Sequence, residues 1–405
     1  MATATPMTDT TPPIRFDYTS LETVLVGVDA VSALGEQVRQ RDARRVFLLV
    51  SATLSRQTPL VGRIKAELGP RFAGMFDAIR AHTPREDALQ AAELARQAGA
   101  DLLVSVGGGS VIDATKVVQL SLSLDIRDSE TLQFYAQFAD GTRGARAGEL
   151  AGLTGSSLRQ IAIPTTLSGA EFSCNAGVTD LARGLKEGYR APSLYPVAIL
   201  YDPQLAMATP RWLWLSTAIR SLDHAIEGFC SVDAHPYLES HFLHAISLFA
   251  DSLPRTLSDP GDVQARSLNQ QAVWLACCGL GRVRHGASHG IGYLLGAVCG
   301  VPHGYTSCVM LPAVLRWNES VNAQRQQAIA RALGVSGMSA ADGVRKLVSA
   351  LELPTSLQAV GVTAPQLERV AELASRHPVV RNNPRPITGP ADVRAVLTLA
   401  WDTSP

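Results

Sequence analysis

The sequence has no C-x-x-C pair, no excess of charge of either sign, no internal repeat and no G-x-G-x-x-G dinucleotide fingerprint. Each absence closes a class. Cys174, Cys230, Cys277, Cys278, Cys299 and Cys308 lie in apolar contexts without metal-knuckle spacing. They predict reduced core residues of a cytoplasmic protein, not a disulfide framework. The 36 basic and 36 acidic residues cancel, which leaves no field to attract nucleic acid or an anionic membrane. No apolar stretch approaches the ~20 residues of a membrane span. Residues 1–17 are polar, with neither a charged n-region nor an apolar h-region, so a disordered tail is expected and not a signal peptide. What remains is an ordinary soluble chain of 405 residues, 46% hydrophobic, long enough for two domains.

From Tyr18 to Tyr201 strand and helix signals alternate. Strands are predicted at Thr23–Val26, Val46–Val50, Gly74–Ile79, Leu102–Val106, Gln160–Ile163 and Val197–Tyr201, with helical patterns such as Glu86–Ala98 between them. This predicts a mostly parallel sheet with helices on both faces. Arg127–Ser157 is glycine-rich and reads as a surface excursion. After Asp202-Pro203, helical Ala- and Leu-rich runs dominate, with breaks expected at Pro236, Pro254, Pro302, Pro312, Pro354 and Pro384. The expected division is an α/β dinucleotide-binding domain over 18–203 and an all-helical catalytic domain over 204–405. A ligand cleft would lie between them.

The run from Asp101 to Lys116 carries the sharpest signal. Leu102–Val106 is a β-branched strand, Gly107, Gly108 and Gly109 follow at once, and Ser110 can cap a helix that begins at Val111. Strand, glycine turn and helix start form a cradle for phosphate, because close main-chain approach and free amides favour an anion. Pro164-Thr165-Thr166 and Ser168 then place hydroxyls at a second strand end, where nucleotides bind in doubly wound sheets. In the helical half, His224 lies in a helical pattern, His289 among glycines, and His303 between Pro302 and Gly304. Taken singly, each reads more readily as a packed or surface histidine, and the Gly and Pro neighbours of His289 and His303 tip those two towards function. His235, His241, His244 and His377 are read as packed or surface residues.

Together these segments resemble the iron-containing alcohol dehydrogenase superfamily, which includes the maleylacetate reductases and is distantly related to dehydroquinate synthase. The resemblance runs from about residue 18 to 400 and ends in Asn383-Pro384-Arg385. It implies the α/β plus all-α fold of that superfamily, with hydride transfer in the cleft. Gly107, Gly108, Gly109 and Ser110, with Asp113 and Lys116, match the family's pyrophosphate loop; Thr165, Thr166 and Ser168 match the ribose and nicotinamide side.

The departures from the family pattern are more informative than the matches. Family members bind a divalent metal through an aspartate and three histidines. The histidines map to His224, His289 and His303, but Arg220 stands where the aspartate should be, one helical turn before His224. A guanidinium there removes an anionic ligand and repels a cation. No iron or zinc site of the usual type is therefore expected; any metal retained would use the three histidines. A further family histidine is replaced by Tyr293, and Asp223 should point about 100° away from His224 around the helix. The shortened loop after Thr166 and His82-Thr83-Pro84 resemble the maleylacetate reductase branch. Ser51 ends the second strand where an NAD-selecting aspartate is usual, so NADPH should be accepted as well as NADH.

The expected protein is an NAD(P)H-dependent carbonyl or oxo-acid reductase, a homodimer. Arg220 would face the substrate, and His224, His289, His303 or Tyr293 would supply the proton. The alternatives are a metal-dependent alcohol dehydrogenase, a dehydroquinate synthase-like lyase and a non-catalytic nucleotide-binding relative.

Overall fold

A computed structural model of the chain describes Ile14 and residues 16–138, 141–335 and 337–401. Most of the expected 1–17 tail lies outside the described residues. Phe16 is described and packs edge-on against Tyr237, with Arg282 over its ring.

Six parallel strands form the main sheet, in the order Thr23–Val26, Ala198–Tyr201, Arg159–Pro164, Leu102–Gly107, Val46–Val50, Phe72–Phe76. The first two predicted strands coincide with the observed ones, and the third is displaced. Phe72–Phe76 starts two residues early because the Pro70-Arg71 turn delivers the chain directly onto Val46, where the register shifts. It ends at Asp77, whose carboxylate accepts a hydrogen bond from Ser55. From Val46–Val50 the chain moves outward to the edge strand and then back to Leu102–Gly107 on the other side. The crevice between those two strand ends is therefore the switch point where doubly wound sheets bind ligands. Ser51 and Gly107 sit at its rim.

A second, antiparallel sheet of Gln137–Phe138, Leu185–Arg190 and Asn175–Asp180 is not evident in the sequence. Its alternation is blurred by Gly177 and Gly188, and part of its anchorage is ionic. Arg85 reaches Asp180 at 2.9 Å and Glu187 at 2.8 Å, both acids fully buried.

Among the described residues after Tyr201, all regular structure is helical, and no helix is long and apolar enough to cross a membrane. Pro254 and Pro312, expected to break helices, lie inside Pro236–Ser258 and His303–Ala332. Packing outweighs the lost hydrogen bond at buried Pro312, and the helix departs from α geometry instead at Asn322 (φ −140°, ψ 30°). The helix Arg211–Cys230 is buried continuously from Trp214 to Cys230, yet it carries Thr217, Arg220, Ser221, Asp223, His224 and Glu227. Polar groups so enclosed are tolerated only where each finds a partner, which locates the site.

Candidate active site

The phosphate cradle forms at the switch point. Gly107 has φ +155°, and the helix begins at Gly109 with Gly108 as its cap; Ser110 is inside the helix and is not the cap. Added methyl groups would meet Ser51 Cβ at 3.2 Å from Gly107, Thr166 Cγ2 at 2.9 Å from Gly108 and Ser168 Oγ at 3.1 Å from Gly109. The fold thus brings together Ser51, the three glycines, Thr166 and Ser168. Among the described residues the main-chain amides of Gly109 and Ser110 have no partner in the protein. Free amides at a helix start, flanked by hydroxyls, fit a dinucleotide pyrophosphate. Ser51 also caps the short helix Ala52–Gln57 through Leu54 N–H.

Lys116 does not reach this cradle. Its ammonium is fully buried and donates to the Ala170 and Asn175 carbonyls, each at 2.7 Å, and to Asp113 at 3.3 Å. Asp113 in turn accepts from Gly177 N–H at 3.0 Å. The pair braces the cradle helix against the second sheet. The spacing of Asp113 and Lys116, one helical turn apart, is the same for a brace as for a cofactor ligand, so sequence alone does not separate them.

The chemical centre lies on Arg211–Cys230 and on the helix Ala287–Cys299 packed across it. Arg220 Nη1 donates to Ser307 Oγ at 3.1 Å and lies 3.7 Å from Asp223; its guanidinium sits over the Tyr293 ring at 5.4 Å. Its Nε and Nη2 make no hydrogen bond among the described residues. Asp223 accepts from Ser288 and Ser307 hydroxyls at 2.8 and 2.7 Å. Glu227 accepts from the main-chain amides of Gly286, Ser288 and His289 and lies 2.7 Å from His289 Nδ1. His289 Nε2 is in turn 2.7 Å from His224 Nδ1. His285 packs on His289, ring centres 4.3 Å apart, and completes the group.

Burial sets the charges here. It raises both carboxyls, Arg220 pulling Asp223 back down and Asp223 pushing Glu227 further up. Burial and then Arg220 hold His224 and His289 well below the usual imidazole range, and His285 falls to about 4 for the same reasons. Burial thus favours the neutral forms of Glu227 and of the imidazoles, while Asp223 faces the Arg220 guanidinium.

The glycines around His289 serve close packing. A methyl on Gly290 would strike Val380 Cγ2 at 2.5 Å, and one on Gly286 would meet Asn383 Oδ1 at 2.9 Å. Asn383, from the C-terminal string, caps this helix by accepting from Ala287 N–H.

His303 stands apart from His224 and His289. Its Nε2 is 3.1 Å from Lys186 Nζ, its ring packs 6.2 Å from His82 and 6.5 Å from Tyr293, and burial with Lys186 pushes its pKa down to about 3. His224, His289 and His303, expected to hold any residual metal, are not drawn into one cluster: His285 stands beside the other two. The ring nitrogens of His224, His285 and His289 lie within 4.8 Å of one another, as do ligand atoms of Asp223, Glu227 and His289. This donor set does not fit the family's metal. Both nitrogens of His289 are committed, to Glu227 and His224, and a fixed guanidinium occupies the place of the anionic ligand. Asp223, adjacent to His224, points elsewhere, towards Ser288 and Ser307. His377, read as an ordinary packed histidine, lies 5.8 Å from Tyr293 at the rim. His285 and Glu227 were not singled out from sequence. His285 stands four residues before His289 but outside the helix, which starts at Ala287, and the partners of Glu227 lie about sixty residues away.

Comparison with known proteins accords with this geometry. The profile of the iron-containing alcohol dehydrogenases matches residues 22–203, and that of the C-terminal region of the Fe-containing alcohol dehydrogenase family matches 214–401. The chain is 32% identical over 379 residues to dehydrogenase ALT3 of Alternaria alternata, covering 85% of this chain and 96% of that protein. It is 30% identical over 375 residues to a maleylacetate reductase of Burkholderia cepacia, covering 93% and 95%. A crystal structure of maleylacetate reductase from Agrobacterium tumefaciens superposes with a TM-score of 0.80 at 26% identity, covering 96% and 99%. A 1,3-propanediol oxidoreductase, at 23% identity and a TM-score of 0.84, covering 96% and 100%, shares the fold. The chain belongs to the iron-containing alcohol dehydrogenase family, on its maleylacetate reductase-like branch, and is an NAD(P)H-dependent oxidoreductase.

Proposed function

We propose that the protein reduces an oxo acid of the maleylacetate type without a metal ion. The observation that carries this reading is Arg220, buried on the central helix with two guanidinium nitrogens unused by the protein. Maleylacetate is a dicarboxylate whose ketone is conjugated to a carbon–carbon double bond. Bound NAD(P)H supplies the hydride, to a carbonyl carbon or to the far end of such a conjugated system. In either case negative charge develops on the ketone oxygen. Arg220 supplies the fixed positive charge for that oxygen, or holds a substrate carboxylate bidentately.

The proton follows a line of three groups. His224 donates to the substrate oxygen and takes a proton at Nδ1 from His289 Nε2. His289 is refilled at Nδ1 from the Glu227 carboxyl. Both imidazoles remain neutral throughout, with their tautomers exchanged. The new Glu227 carboxylate already faces three main-chain amides. The names of the maleylacetate reductase relatives support the substrate class. The free cysteines support a reducing, cytoplasmic setting, and a homodimer is part of the same reading.

Three outcomes follow. Arg220→Gln should lower kcat/KM for maleylacetate by ~10²-fold or more with the melting temperature retained; wild-type turnover would remove Arg220 from the reaction. Reduction requires protonated Glu227, so its rate should fall as pH rises through about 8, whereas oxidation of the product should rise there. Glu227→Gln should abolish that limb of the profile, and an unchanged limb would exclude the relay. Ser51→Asp, which keeps a capping oxygen, should shift preference from NADPH towards NADH by repelling the 2′-phosphate. Equal ratios of kcat/KM for the two cofactors before and after would locate selection elsewhere.

A further inference from the structure

The segment Thr165–Gly169 alternates between the two halves of the molecule. The side chains of Thr166 and Ser168 face the glycines of the cradle. The groups between them are held by the helical half. Thr209 Oγ1 donates to the Thr165 carbonyl at 2.6 Å. Leu167 N–H donates to Thr217 Oγ1 at 3.1 Å, and Ser221 Oγ donates to the Leu167 carbonyl. The Leu167 side chain is fully buried in the helical core, alongside Phe172, Leu222 and Ile226. Gly169 then turns with φ +75° directly against Cys277, where any methyl group would lie 2.3 Å from the sulfur. Thr217, Ser221 and His224 follow one another at helical spacing, so the face that grips Leu167 continues into the proton-donating face. His224 itself faces the Ser168 main chain.

We propose that Thr217 and Ser221 are positioning residues. They fix the cofactor segment to the catalytic helix and so set the distance from the bound nicotinamide to Arg220 and His224. Leu167 is the only residue of the segment whose N–H and carbonyl are both taken by hydroxyls of one helix, which makes it the point of registration between the halves. Loss of either hydroxyl leaves a buried main-chain group unpaired and frees the segment to move by a fraction of an ångström. Misplacement on that scale slows hydride transfer far more than it weakens substrate binding.

The inference rests on the hydride-transfer activity and not on the choice of oxo acid. Thr217→Val keeps the shape and removes the hydroxyl, and Thr217→Ser restores it. The valine variant should lose at least about tenfold in kcat with maleylacetate while KM for maleylacetate stays within about threefold. The deuterium isotope effect with NADPH deuterated at the transferring position should rise. NADPH titrated by its own fluorescence should bind about threefold or more weakly. The serine variant should return these values towards the parent. Ser221→Ala repeats the test if the valine variant does not fold. Parent-like NADPH affinity and isotope effect in a folded valine or alanine variant would overturn the proposal. Failure of the parent to turn over maleylacetate overturns the substrate reading alone, because the NADPH titration decides the clamp by itself.

Discussion

A guanidinium enclosed on the central helix governs the rest of the site. Arg220 cannot lose its proton, so the surroundings must neutralise it. Asp223 does this indirectly, at 3.7 Å, with Ser307 bonded to both. The Tyr293 face contributes a further attraction. Burial, and after it the Asp223 carboxylate that faces Arg220, raises Glu227 and favours its protonated form. Burial, and after it the same positive charge, disfavours protonation of the three clustered histidines. In the function proposed above, a cation in the place of a carboxylate turns a metal-binding arrangement into one organised for proton movement.

The two halves contribute different physics. The α/β half supplies a rigid crevice at the switch point, where glycines permit close approach and free amides await an anion. The helical half supplies charge and protons in a dry interior, where both act more strongly than in water. Lys116, Asp113 and Asn383 hold the helix starts on which the site is built.

Much of this was legible in the sequence. The strands with continuous apolar runs, such as Val46–Val50, announced themselves, as did the cradle, because its glycines are required by contacts on both sides. The antiparallel hairpin carrying Lys186 was not legible, since its strands are polar, glycine-containing and half exposed. Arg220 could be placed one turn before His224 by helical spacing alone. The identity of the third histidine could not, because His285 and His303 differ by tertiary position, which the family resemblance does not report. The pairing of Glu227 with His289 depends on one helix crossing another, which no local pattern encodes.

The central claim is that Arg220 and the Glu227–His289–His224 line do the work elsewhere done by a metal ion. Elemental analysis of the purified enzyme, with NADPH-dependent turnover measured before and after exhaustive chelation, addresses it most directly. The account predicts well under one equivalent of iron or zinc per chain and undiminished turnover. Stoichiometric metal, removed by chelator together with activity and restored with it, would contradict the account.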